Sequence, residues 1–176
     1  MTGSIVAGII AYSVSLFASI LLVFLTYRLN TLLTRKVDEE QHLLSGNRSM
    51  AISLGSILLS QAILLRHAVF PTMVVVRDLF LRPVTFEAAV WVLAHCVLFF
   101  VIIGILSFGS VAVAGWLFTR MTGKIAEKEE IRKDNVAVAL FFAFAVLGIT
   151  LIVNEGLEDL SRSLIPYERT GVIRLP

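Results

Sequence analysis

Charge is scarce in this sequence, and from three long stretches it is missing altogether. Residues 1–27, 88–119 and 135–154 contain no Asp, Glu, Lys or Arg. Charged residues make up 16% of the 176 positions and hydrophobic ones 57%, whereas a soluble domain is about a quarter charged. That distribution excludes a soluble fold. A run of about 20 apolar residues spans the hydrocarbon core as a helix, and this chain has three stretches of that kind. Cysteine is nearly absent too. Cys96 stands alone in an apolar run, which excludes a disulfide framework and a zinc spacing and reads as a small buried hydrophobe. There is no HExxH and no His–carboxylate pair on one helix face, so no metal is expected. No nucleotide loop and no set of nucleophile, base and orienting group stands out; no cofactor is expected, nor an enzyme. The net charge of +2, with both signs mixed, excludes nucleic acid as a partner. The first residues, Met1-Thr2-Gly3-Ser4, lack the basic start of a signal peptide, and Tyr27-Arg28-Leu29-Asn30 is no cleavage signature. The N-terminal stretch therefore reads as a retained helix.

What is present is four apolar segments. The first span covers about Ile5–Tyr27. The second starts near Ser49 and is clean to Leu65, where Arg66 and His67 interrupt it. Arg66 can snorkel to the headgroups, and Phe70 to Phe86, which contains Pro71, Arg77, Asp78 and Arg82, reads as interfacial. The third span lies within Ala88–Thr119, longer than a bilayer needs, so it tilts or its first turns lie outside the core. The fourth is about Val136–Val153. Beyond it Leu157, Leu160 and Leu164 recur at helical spacing, suggesting a short amphipathic helix before an irregular tail, Pro166–Pro176.

Sliding the chain by 88 residues exposes an internal repeat. Leu29, Thr31, Thr34, Lys36, Glu39, Asn47 and Ala51 fall on Leu117, Thr119, Thr122, Lys124, Glu127, Asn135 and Ala139, seven identities in 23 positions. The polar loop carries the likeness, so shared apolarity does not explain it. Each unit reads helix, basic loop, helix, and with two spans per unit both copies enter the membrane from the same side. The expected fold is all-α and polytopic: four transmembrane helices as two parallel-repeat helical hairpins. The divisions are residues 1–69 and 88–156 for the hairpins, 70–87 for an interfacial linker and 157–176 for the amphipathic segment and tail.

Nine of the fifteen Lys and Arg residues, including every Lys, lie in the two intra-hairpin loops. The positive-inside rule then places those loops in the cytoplasm and the termini outside. The loop charges alternate in sign, from Arg35, Lys36, Asp38, Glu39 and Glu40 to Lys124, Glu127, Lys128, Glu129, Glu130, Arg132 and Lys133. That pattern suits a solvated helix with salt-bridge spacing, a seat for anionic headgroups, or a dock for a cytosolic protein at loops 28–48 and 119–135.

Candidate site residues follow the repeat. Asn47 and Asn135 stand where a basic loop becomes a membrane helix; each reads as an N-cap, or as half of an anion or headgroup site. Ala51 with Gly55, and Ala139 with Ala143, put small residues one turn apart for close helix packing, which also suggests a homo-oligomer. The first copy carries two hydroxyl stripes: Tyr12, Ser15, Ser19 and Thr26 on one helix, and Ser49, Ser53, Ser56 and Ser60 on the next. Their equivalents are mainly apolar or small, among them Phe100, Ile103, Ala137, Phe141, Phe144 and Gly148. Such hydroxyls bond their own helix and pack, or they line a hydrated path. Arg66, His67 and His95 are ionisable residues near one boundary, where snorkelling suffices or where a pH-sensitive role is open.

The loops end in Glu130-Ile131-Arg132-Lys133-Asp134-Asn135-Val136-Ala137-Val138-Ala139 and in His42-Leu43-Leu44-Ser45-Gly46-Asn47-Arg48-Ser49-Met50-Ala51. A basic or Gly residue before Asn, then alternating Ala entering a membrane helix, twice at equal spacing, resembles the YjfL-like bacterial inner-membrane family (domain of unknown function 350). The resemblance covers nearly the whole chain; Arg48-Ser49-Met50 departs from the pattern's small apolar residues. It implies a bacterial inner (plasma) membrane and an association with envelope stress, and brings no established activity. Two functions are therefore expected to compete: a membrane scaffold or envelope-stress component acting through loops and lipid contacts, and a small oligomeric channel or transporter with a Ser/Thr-lined path.

Overall fold

The computed structural model describes residues 2–33, 39–80, 85–123 and 126–165. All described regular structure is helical: α1 (Thr2–Leu33), α2 (Glu39–Leu44), α3 (Arg48–Leu65), a 3₁₀ turn (Arg66–Ala68), α4 (Val69–Phe80), α5 (Phe86–Met121), α6 (Glu127–Arg132) and α7 (Val136–Ser163). Four stretches are long and apolar enough to cross a membrane: Gly8–Arg28, Arg48–Phe80, Phe86–Met121 and Val136–Ser163. The protein is a multi-pass membrane protein. Loop residues Arg35, Lys36, Asp38 and Lys124, Arg82 of the linker, and the tail 166–176 lie outside the described residues.

The repeat is visible in the backbone. Helices α2 and α6 begin 88 residues apart, as do α3 and α7. Each short helix closes in the same way. Gly46 N–H donates to the Leu43 carbonyl and Asn47 N–H to that of His42; Asp134 N–H donates to Ile131 and Asn135 N–H to Glu130. This double closure is the Schellman arrangement, which needs a left-handed residue just past the helix. Gly46 (φ 80°) and Asp134 (φ 62°) fill that place, at equivalent positions. Glycine does so without steric cost, and Asp is one of the few other residues that tolerate it.

Two element boundaries differ from the sequence expectation. The helix of the second span continues past Arg66. Pro71 has no N–H to donate to the His67 carbonyl, and its ring crowds that group, so the ladder tightens to a 3₁₀ turn and resumes as α4. This helix buries Pro71, Thr72, Val75 and Val76; Val75 and Val76 share a core with Val92, Cys96 and Phe99 of α5. The stretch expected to be interfacial is thus helical over Val69–Phe80, with one face in the protein. Nor does the last helix end near Val153: α7 continues to Ser163, with Leu157 in the central core.

The core sits where α3, α5 and α7 meet, around Leu64, Phe100, Ile103, Val111, Ala114 and Val146. Helix α3 packs most extensively on α7, α7 also on α5, and α1 chiefly on α4. Most of α1 is exposed along its length, including Ile9, Phe17, Ile20 and Phe24, as suits a helix solvated by hydrocarbon.

Candidate functional site

Polar contacts between distant segments gather at the two ends of the α3/α7 pair, and Gln61 makes another between α3 and α5. At the loop end, the Asn47 side chain does two things at once. Its Oδ1 accepts from Met50 N–H at 2.7 Å, capping α3, while its Nδ2 donates to the carbonyls of Ile131 and Arg132 at 3.0 Å each. Those carbonyls belong to the last turn of α6, where backbone acceptors have no partner within the helix. Asn47 thus caps its own helix and the end of the other copy's short helix. Asp134 answers from the other side: its carboxylate accepts from Ser49 N–H, in the first turn of α3, at 2.8 Å. This bond is the main cause that holds the Asp134 carboxyl below its ordinary range; the Arg48 backbone N–H and charge add less. Asn135 caps α7 through Val138 N–H at 3.4 Å, and its Nδ2 donates to Glu130 at 2.8 Å within its own copy. That amide, with Lys133 beside it, lowers the Glu130 carboxyl as well. Both asparagines are therefore caps, and the first also fastens the two turns together.

At the opposite end, Asn154 Oδ1 accepts from His67 Nε2 at 2.8 Å and from Arg66 Nη2 at 3.3 Å. Arg66 and Asn154 are equivalent positions in the repeat, so the pair is tied at matching ends. Arg66 is exposed and His67 buried; with Phe70, Glu158, Ser161 and Arg162 they line a hollow of about 330 Å³. His95 does not join them. Its Nδ1 faces the Trp91 carbonyl of its own helix at 2.8 Å and its ring lies 3.9 Å from that of Trp91.

The hydroxyl stripes separate. Ser49, Ser53, Ser56 and Ser60 are all buried, and Ser53 and Ser56 donate back to the carbonyls of Ser49 and Ser53. On α1, Ser15 and Thr26 are buried and Ser19 is half-buried, whereas Tyr12 is 61% exposed. The hydroxyls of Ser15, Ser49, Ser60 and Ser107 are buried with no hydrogen-bond partner among the described residues. The small-residue pairs divide too: Ala139 and Ala143 are buried, while their equivalents Ala51 and Gly55 are exposed. Close packing within the chain accounts for the second pair and not for the first.

Beside the fastened turns lies a cleft of about 450 Å³ between α3, α5, α6 and α7. Leu54, Ile57, Val111 and Phe142 are among its walls, Gln61 lies at one end, and Thr119, Glu127 and Lys128 at the other. Gln61 is buried and donates to the Ser107 carbonyl at 3.3 Å. Glu127 is buried with its carboxyl against the Thr122 hydroxyl. The cleft escaped sequence reasoning, since it arises from three helices diverging. The only cue was polar Gln61 within an apolar span.

No curated protein and no solved structure matches this chain. One family, described as Domain of Unknown Function (DUF350), matches it twice, over residues 4–107 and 92–173. With its turns repeating at the same interval as its asparagines, the chain belongs to that family and carries its domain twice in tandem.

Proposed function

We propose that this protein is a bacterial inner-membrane scaffold, associated with envelope stress, whose working surface is the fastened pair of turns and the cleft beside it. The observation that carries this reading is the cross-bracing of the two turns by Asn47 and Asp134. It makes one platform of two loops, with charged α6 side chains turned outward: Glu129, Arg132 and Lys133 are exposed. A rigid, mixed-charge surface beside a bilayer suits a cytosolic protein partner and lipid headgroups, and the Lys/Arg distribution supports the cytoplasmic side. A photo-crosslinking residue at Glu129 or Lys133, in native membranes, is expected to give a discrete protein adduct. No adduct at either position would overturn the partner.

A second reading, the channel, is favoured by the four buried hydroxyls without partners, since buried polar groups are ordinarily met by protein or ordered water. If a hydrated path or an oligomer axis uses the α3 hydroxyl stripe, to which Ser49 and Ser60 belong, Ser53→Leu with Ser56→Leu in the middle of that stripe abolishes ion flux in liposomes while assembly persists. No flux from the unaltered protein removes the channel.

A further inference from the structure

We infer that the cleft between α3, α5 and α7 is a seat for one acyl chain of an anionic phospholipid from the surrounding bilayer, with Lys128 and Arg120 meeting its phosphate. The size fits: about 450 Å³ lies within the ~300–1,000 Å³ usual for small-molecule sites. So does the length. Along α3 the cleft runs from Met50 to Gln61, and along α5 from Phe108 to Thr119; at about 1.5 Å per residue either path is about 16 Å. A hydrocarbon core of about 30 Å gives each leaflet roughly half of that. The cleft is one acyl layer deep, and it begins at the end where the turns are.

Its two ends match the two ends of a lipid. The deep end closes on Gln61, already bonded to Ser107, among apolar walls. The mouth carries Lys128 and Trp116, with the Arg120 guanidinium 5.5 Å above the Trp116 ring. Tryptophan concentrates at the headgroup level, which puts the two cations beside the phosphates. Among the described residues neither cation is paired with a carboxylate. The one acid at the mouth, Glu127, is buried against Thr122. Among the described residues that line the mouth, the charge facing outward is therefore positive, complementary to an anionic headgroup. The inference rests on the lipid-contact part of the proposed function and not on a protein partner, so failure of the crosslinking leaves it standing.

The sequence offers a built-in probe, since Trp116 lines the cleft and Trp91 is the only other indole. The full-length Trp91→Phe variant is reconstituted in vesicles doped with brominated phosphatidylglycerol or, at equal mole fraction, brominated phosphatidylcholine. Stronger quenching of Trp116 by the anionic lipid is expected. With about 1 kcal/mol per basic residue near the surface, Lys128→Gln should cut that preference about fivefold, and adding Arg120→Gln should cut it as much again. Ala112→Phe, which fills the cleft from α5, should remove the preference while helicity is kept. Equal quenching by the two lipids, or a preference that survives both charge substitutions, overturns the proposal. Quenching that is blind to lipid type while Trp116 emission shifts on diluting the protein in lipid assigns the cleft to a second copy, and overturns it too.

Discussion

The two copies agree in their turns and disagree in the helices that follow. Gly46 and Asp134 take the same left-handed conformation, and Asn47 and Asn135 cap the next helix at the same step. Yet Ser49, Ser53, Ser56 and Ser60 of α3 are buried where Ala137, Phe141, Phe144 and Gly148 of α7 are exposed, and Ala51 and Gly55 are exposed where Ala139 and Ala143 are buried. Equivalent positions have opposite environments. A turn that starts a membrane helix must satisfy its free N–H groups in either copy, because no water does so in the hydrocarbon. The face of a helix is set instead by its neighbours: α3 lies among α1, α5 and α7, while α7 lies at the side of α3 and α5. Duplication has kept what the bilayer demands of both copies and released what packing demands of each.

The sharpest way to break this comparison is at the asparagines. Asn47→Ala removes a cap, worth about 0.5–2 kcal/mol, and two bonds across the repeat, about 0.5–1.5 kcal/mol each. A loss of about 2–4 kcal/mol is expected in reversible unfolding in detergent. Asn135→Ala loses only the cap and a bond within its own copy, and should cost roughly half as much. Equal losses would mean that the cross-bracing does no more than the local cap. Next come the alanines, identical residues in identical register. Ala139→Leu forces a larger side chain into a packed site, and costs about 1–3 kcal/mol. Ala51→Leu is placed in the open and should stay within about 0.5 kcal/mol. If Ala51→Leu proves the more damaging, that face is covered in the assembly, as a homo-oligomer packed through Ala51 and Gly55 requires.

How much of this was legible in the sequence follows from the same contrast. The interval of 88, the caps at Asn47 and Asn135, and the four apolar spans were all readable, because charge and capping act locally. The direction in which each helix faces was not. In a membrane the lipid-facing and protein-facing sides are both apolar, so periodicity does not separate them, and the Ala51 and Ala139 pairs looked alike. The second copy's Asp134 gave no local signal of its bond to Ser49, since the partner lies 85 residues away. Pro71 was visible, but its effect depended on α1 and α5 holding α4 against the core once the ladder was disturbed. Tyr12 sat in register with Ser15, yet it is exposed where Ser15 is buried.

A smaller effect separates the turns themselves. Gly46→Ala puts a side chain at φ 80° and should cost about 1–2 kcal/mol, measured by the same unfolding. At the equivalent place Asp134 already bears that strain and gains the Ser49 bond, so Asp134→Ala should cost more than strain alone predicts.

The smallest expected effect is on pH dependence, and among the described residues it belongs to the second copy. Asp134 and Glu130 have folded-state values below their ordinary ones of 3.8 and 4.5. A carboxylate lowered on folding adds stability that is fully present above its ordinary value and disappears as pH falls through the folded value. The unfolding midpoint should therefore be flat from neutral pH down to the ordinary carboxylate range and decline below it. Asp134→Asn keeps an acceptor for Ser49 and tolerates the left-handed backbone, but it cannot titrate, so part of the acid decline should vanish while neutral-pH stability changes little. Gly46→Asp, which gives the first copy the same residue, tests whether the turn or the partner makes the difference. A new acid-sensitive component appears only if Ala137 N–H, the equivalent of Ser49 N–H, comes within reach. With α7 offset to the side of α3, the expected result is no new component.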